Sequence, residues 1–402
     1  MIIVRSEKIL KKNDILLFFD TEKGKLFVQK YNGNSMQEKK VKNEINKFMD
    51  EYGYEKNTKL KIIENVPVEG AYSAPVKLFI DITDECNLKC KHCLDEHLNS
   101  NNYLDVDTIK MIADECSKLG IFNVKLGGGE PLLHPDFFEI VHIFREKDIF
   151  LSMSSNGYFV NAEVAKSLAE NKVRTTISIE GTEKIDSLIR GEGHFAVAVK
   201  ALRLLKQYGV NVNFRVTFTK YCLSIEMLEE LKDLAKAENV KVKFAYCKPS
   251  GAALERKLIV DMNDHKEYIK AMKFLNEEEN QKYFIIENGM KINQDKFYDD
   301  LYLGGRGCGA GNRTMHIDAS GIVSSCVFLR TWYNSSFRYG PNGIEKFWRN
   351  EKNESGNNLE VIRNTEFPKE CFTCKRNCNG QCKALRLYSS GSLTGLNPNC
   401  IR

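Results

Sequence analysis

DECNLKCKHC, residues 84–93, follows directly on KLFIDIT, residues 77–83, and this pair of segments decides the fold. The earlier segment alternates apolar and polar side chains, a period of two that predicts a strand. Cys86, Cys90 and Cys93 therefore stand on the loop that leaves a strand. Thiols spaced C-x-x-x-C-x-x-C wrap three corners of a four-iron cubane and leave one iron without a protein ligand. An open iron is a place for chemistry rather than a brace. A structural zinc site competes with this reading. Such sites close with four ligands, usually in close pairs of Cys or His, and His92 beside Cys93 is the available fourth donor, in an awkward adjacent geometry.

The same spacing, on the loop after a first strand, resembles the signature of the radical S-adenosylmethionine (radical SAM) enzymes. The resemblance implies that the open iron binds the amino and carboxylate groups of the methionine moiety. It also implies that one electron cleaves a carbon-sulfur bond and releases a 5'-deoxyadenosyl radical. The residue before the last cysteine is usually aromatic in that family; here it is His92, a flat ring suited to the same packing role.

At 402 residues the chain is long enough for two or three domains with substantial cores. Its 59 basic and 54 acidic residues are interspersed, so the net charge of +5 builds no basic block and no nucleic-acid partner is expected. The opening MIIVRSEKILKKND lacks the apolar core of a signal peptide, and no stretch reaches the length of a membrane span; the expected location is the cytosol. In that compartment 13 cysteines argue for metal or redox chemistry over disulfides. Their grouping agrees: apart from the opening three, seven lie between Cys308 and Cys400, and only Cys116, Cys222 and Cys247 fall elsewhere.

Residues 1–74 read as a small α+β module. ILLFFD (15–20) and KLFVQKY (25–31) flank the polar turn TEKG, a hairpin signal, and a helical stretch follows with Val41, Ile45, Phe48 and Met49 on one face. This order resembles the winged-helix-like recognition domain of enzymes that modify ribosomally made peptides, where a leader peptide adds as a strand to the hairpin edge and packs on a helix. A packing or oligomerisation module is the alternative. From residue 75 to 300 strands and helices alternate. A helix over 105–120 buries Cys116 on its apolar face, and strands are expected at 122–126, 150–153, 174–179, 213–218 and 241–246. With 78–82 these make six strands and five crossovers, an α/β chain with a parallel sheet. Radical SAM enzymes have such an architecture, a partial (β/α)6 barrel, and barrels keep their chemistry at the carboxyl ends of the strands.

Motifs fall at those ends. KLGGGEP, residues 125–131, is a Gly-rich turn that resembles the family's GGEP motif. There the backbone of Gly128 and Gly129 and the carboxylate of Glu130 are implied to approach the methionine amino group, since only Gly lets a backbone come so close. SSNG (154–157) and SIEG (178–181) are turns in the plain reading; the resemblance makes Ser178 and Glu180 contacts of the cofactor's ribose or carboxylate. IDSLIRGEGHF (185–195) resembles a family segment with an Asp followed by Arg-Gly, in which Arg190 pairs with a carboxylate, a surface arginine being the alternative. Arg215 is an inward charge that needs a partner. Cys247, after Tyr246 at the expected adenine side, reads as a packed thiol, and Cys222 as a loop or core thiol.

From Gly304 the chain turns Gly-rich. MHIDASGIVSSC, residues 315–326, reads as a hairpin turning at 318–321 that brings Cys308 and Cys326 together. Cys371, Cys374, Cys378 and Cys382 follow, then Cys400. One closed zinc site cannot use them all. They resemble the SPASM extension, which would occupy residues 301–402, although Cys374 and Cys378 are closer than is usual there. The resemblance assigns Cys308, Cys326 and Cys382 to auxiliary cluster I, with its fourth position unfilled, and Cys371, Cys374, Cys378 and Cys400 to auxiliary cluster II.

The expectation is thus a cytoplasmic radical SAM/SPASM enzyme with three 4Fe-4S clusters and S-adenosyl-L-methionine as cofactors. Its expected partners are a precursor peptide with a leader and an external one-electron reductant of flavodoxin or ferredoxin type. The specific reaction expected is a thioether joining cysteine sulfur to carbon. Carbon-carbon crosslinking, epimerisation and sulfatase-type formylglycine formation are the alternatives on the same scaffold; a non-catalytic zinc-binding scaffold is the other class.

Overall fold

Two sheets organise the chain. The computed structural model describes residues 1–7, 14–31, 38–55, 57–94, 101–248, 250–286, 308–330, 337–350, 359–366, 368–371 and 382–396. The smaller sheet holds β1 (Ile2–Glu7), β2 (Asp14–Asp20), β3 (Lys25–Tyr31) and β4 (Leu60–Glu64) in the order β3-β2-β1-β4. β2 and β3 pair antiparallel, from Asp20 against Lys25 to Asp14 against Tyr31, around the TEKG turn. On one face lies α1 (Glu38–Glu51), with Val41, Ile45, Phe48 and Met49 buried as its periodicity requires. No strand is expected from the sequence at β1 or β4, yet β1 is central, antiparallel to β2 and parallel to β4.

The larger sheet runs through β5 (Lys77–Thr83), β6 (Asn123–Gly128), β7 (Phe150–Ser155), β8 (Arg174–Ile179), β9 (Val212–Phe218) and β10 (Val242–Tyr246), each parallel to the next. Their crossovers carry α2 (Val106–Leu119), α3 (Phe137–Glu146), α4 (Ala162–Glu170), α5 (Glu183–Arg190), α6 (His194–Gln207) and α7 (Ile225–Ala237). α2 shows why such helices start and stop where they do: Asp105 caps it by accepting the Thr108 N–H, and Gly120 ends it in the left-handed region. Its apolar face, Cys116 included, is buried. After β10 come α8 (Ala252–Glu255) and α9 (His265–Asn276), and then β11 (Phe284–Ile286) adds parallel to β10.

Strand alternation decides the two faces. Val124 and Leu126, Ile177 and Ile179, Phe214 and Val216 are buried in one apolar core with the helices. The intervening Lys125, Thr176, Ser178, Arg215 and Thr217 stay partly open, so the other face is polar.

The cysteine-rich end continues the same sheet. β12 (Thr314–Ile317) pairs parallel with β5 on its outer side, and β13 (Val323–Ser324) pairs antiparallel with β12 in the expected hairpin. The Asp318 carboxylate accepts the Ser320 and Ile322 N–H groups, while Gly321 takes φ +80° to close the turn. Farther on, α10 (Gly343–Trp348) is tied to α2 by Glu115, whose buried carboxylate accepts the Ile344 and Glu345 N–H groups and the Tyr339 hydroxyl.

The small sheet docks where the parallel strands begin. Phe19 stacks on Phe122, which precedes β6, at 5.2 Å, and meets Phe150, at the start of β7, edge-on. Arg5 is fully buried; it pairs with Glu7 at 2.6 Å and donates to the carbonyls of Ala74, Pro75 and Gly120. Arg174, at the start of β8, donates to the Lys23 carbonyl in the hairpin turn. The module thus has its own sheet but shares a core with the larger one, on the end opposite the carboxyl ends of the strands.

Candidate active site

At those carboxyl ends the chain encloses a cavity of about 350 Å³. Cys86, Cys90 and Cys93 all line it. The glycines of β6 explain how the loop is held: a Cβ on Gly128 would lie 2.0 Å from the Thr83 carbonyl oxygen, and one on Gly129 2.1 Å from that of Glu85. The backbone that demands glycine here is the cysteine loop's own. Gly129 and Glu130 donate to Thr83 O and Glu85 O, so the two loops are zipped together. From the other side Gly251 and Ala252 pack on Cys93 O.

Glu130 is 1% exposed. Its Oε2 accepts the Asn156 N–H at 2.7 Å, and burial pushes its carboxyl up to about 7. A bound ammonium would reverse that shift, which suits a receptor for an amino group. Asn156 is itself fixed: its Nδ2 donates to Asn87, and its carbonyl lies 3.1 Å from His194 Nε2. His194 Nδ1 contacts Asp186 at 2.6 Å, and Asp186 accepts the Glu180 N–H. SSNG and the Asp186 segment are therefore parts of one buried network behind Glu130.

Ser178 and Arg190 line the cavity, but Glu180 is not among its walls. Glu180 Oε1 accepts from Arg190 Nε at 3.0 Å and Nη2 at 2.5 Å and lies 3.0 Å from His92 Nε2; Oε2 takes the Thr217 N–H. Burial alone would raise this carboxyl, yet His92 and Arg190 outweigh it and hold it at about 2. Glu180 thus fastens the cysteine loop to the sheet. Arg190 in turn places Nη1 3.6 Å from Cys90 Sγ. Burial pushes the Cys90 thiol up to about 11 with Arg190 pulling the other way, and Cys86 is also raised by burial.

Three thiols on one loop, in no disulfide and lining one cavity with a cation behind, can supply three corners of a cubane and leave the fourth open. Among the described residues no three Cys, His, Asp or Glu side chains gather to hold a single metal ion, as the zinc reading needs.

Several lining residues go unremarked in the sequence reading. Asp81, on β5, meets His316 of β12 at 2.7 Å and Arg330 at 3.7 Å. Lys248 places its ammonium 5.4 Å from the Tyr246 ring and 5.6 Å from that of Phe328. The only sequence signal for Asp81 is a charge in the middle of the signature strand. Cys247 is 3% exposed, and burial pushes its thiol up to about 12. Cys222 is buried in the core.

Of the cysteines near the chain's end, Cys308, Cys326 and Cys382 pack around one apolar cluster. The Cys382 thiol hydrogen-bonds Cys308 and draws it toward thiolate, with the charges of Lys248 and Cys326 also felt at Cys382. Cys371 ends a short helical turn; Cys374, Cys378 and Cys400 lie outside the described residues. No helix among the described residues is long and apolar enough to cross a membrane.

Residues 80–237 match the model of the Radical SAM superfamily. The chain is 27% identical over 350 residues to the mycofactocin maturase MftC of Mycobacterium tuberculosis, covering 83% of this chain and 85% of that one. It is 24% identical over 272 residues to AlbA, the antilisterial bacteriocin subtilosin biosynthesis protein of Bacillus subtilis, covering 64% and 56%. In fold it resembles Streptococcus suis SuiB bound to its precursor peptide SuiA, with a TM-score of 0.69 at 17% identity over 97% of this chain and 98% of that one.

Proposed function

Because the chain is a radical SAM enzyme of the peptide-maturase family, we propose that it modifies a ribosomally made precursor peptide by joining a cysteine sulfur to a carbon. In this reading the parallel sheet is a partial (β/α)6 barrel, Cys86, Cys90 and Cys93 hold the catalytic 4Fe-4S cluster, and Glu130, Gly128, Gly129 and Ser178 receive S-adenosylmethionine. When loaded, that pair supplies a 5'-deoxyadenosyl radical to abstract hydrogen. Residues 1–74 recognise the leader, and residues 301–402 form the SPASM extension with two auxiliary clusters, one on Cys308, Cys326 and Cys382 and one on Cys371, Cys374, Cys378 and Cys400. The protein is cytoplasmic.

One observation carries the choice of bond. Lys248 and Phe328 line the cavity, and Phe328 packs on the same apolar cluster as Cys308, Cys326 and Cys382, so that group lies just behind the cavity wall. Three thiols leave a cubane one position short, and a substrate thiolate is a ligand of the right softness to fill it. The test uses a core peptide with cysteine and the same peptide with serine. The cysteine peptide is expected to perturb the auxiliary-cluster spectrum and to yield a product that has lost two hydrogens; the serine peptide should do neither. Turnover of the serine peptide would instead put the carbon-based reactions ahead.

A further inference from the structure

A second hollow lies on the outer side of the cysteine loop, lined by Lys89, Lys91, Lys184, Leu188 and Glu192. The three lysines are exposed, and none of their ammonium groups has a hydrogen-bond or ion-pair partner among the described residues. Leu188 stands among them 42% exposed. The Lys91 N–H donates to Ile189 O at 2.9 Å, so the cysteine loop and α5 form one rim. Three unpaired cations around an exposed leucine, with Glu192 the one acid among the described residues lining the hollow, match a partner whose face is acidic with an apolar centre.

What that partner delivers follows from the wall between hollow and cavity. Arg190 lines both. Its side chain is nearly buried and locked onto Glu180, and its Nη1 stands 3.6 Å from Cys90 Sγ. No substrate atom passes such a wall, whereas an electron tunnels across one side chain. Resting on the radical SAM reading above, we propose that Lys89, Lys91, Lys184 and Leu188 form the docking face for an acidic one-electron carrier protein. The carrier is oxidised by one electron and the cluster on Cys86, Cys90 and Cys93 is reduced by one; no bond or proton changes hands.

The experiment titrates the reconstituted full-length enzyme with a reduced, acidic bacterial ferredoxin at low and high salt. Wild type is expected to bind more weakly as salt rises. Lys91→Glu/Lys184→Glu should weaken binding about tenfold and flatten the salt dependence, with ferredoxin-driven cluster reduction slowing in step. Lys91→Gln/Lys184→Gln should fall between, and Lys91→Arg/Lys184→Arg should resemble wild type. Iron content and dithionite-driven 5'-deoxyadenosine formation should be unchanged in all of them, which separates docking from folding. Unchanged ferredoxin affinity in the Glu variant would overturn the proposal, as would loss of affinity for an acidic peptide but not for ferredoxin. Failure of wild type to make 5'-deoxyadenosine with dithionite would sink instead the reading on which it rests.

Discussion

His316 Nε2 lies 2.7 Å from Asp81 Oδ2, joining the first strand of the cysteine-rich end to the strand that leads into Cys86, Cys90 and Cys93. His316 Nδ1 also meets Ser324 Oγ at 3.2 Å, and Ser324 in turn reaches the Cys326 carbonyl. The contact therefore spans from the cavity to Cys326. A double-mutant cycle of Asp81→Asn and His316→Gln should give a coupling energy of about 1 kcal/mol or more in chemical denaturation. Strict additivity would show that the two side chains are neighbours without interaction.

Glu180→Gln should cost stability out of proportion to its size. It leaves Arg190 buried without its carboxylate, a loss of about 3–5 kcal/mol for a broken buried pair. Because Arg190 and His92 both hang on Glu180, iron retention at the signature cysteines should also fall, visible in the metal-to-protein ratio after gel filtration. Arg190→Lys should resemble Glu180→Gln, since an ammonium cannot reproduce the two-pronged contact. A Glu180→Gln protein with full iron and unchanged denaturation would refute the anchoring role.

Lys77 sits among Lys243, Arg174 and Arg215, and burial, reinforced by these cations, lowers its ammonium to about 7. Its ordinary value is higher, so between about 7 and 10 the unfolded chain binds the extra proton and stability rises with pH. Below that window the cost of keeping Lys77 charged is present in full. Lys77→Met should therefore stabilise the protein, by more at pH 6.5 than at pH 10. A gain independent of pH, measured by urea denaturation at both values, would assign it to packing alone.

Removing the first seventy residues should not yield a working catalytic core. It would uncover Phe122 and Phe150 and strip Arg5 from three carbonyls. The expected product is aggregated protein, and Arg5→Ala alone should cost about 3–5 kcal/mol by leaving the buried Glu7 carboxylate without its cation. A soluble, SAM-cleaving truncation would show that the small sheet is dispensable to the fold.

Much of this arrangement is legible in the chain because its alternation is strong. KLFIDIT forms a strand over its whole length, and the six parallel strands fall within a few residues of where the period places them. β1 escapes because Arg5 and Glu7 look like surface charges; their burial makes sense only once Ala74, Pro75 and Gly120 supply carbonyls from far along the chain. β11 has three residues, too few to show a period. In the site, residue type and strand end point to Glu130 and to Glu180 alike. What separates them is which cation each meets, and Glu180 meets Arg190 and His92 across the fold, whereas Glu130 meets backbone N–H groups.

The parallel pairing of β12 with β5 also sets a schedule for synthesis. β5 emerges early, and its outer edge waits for a partner made roughly two hundred residues later. Throughout that interval the signature strand offers unpaired N–H and C=O groups to whatever strand comes near. A chain arrested before residue 314 would therefore carry Cys86, Cys90 and Cys93 beside an open edge, and would be exposed to sticking to its own copies.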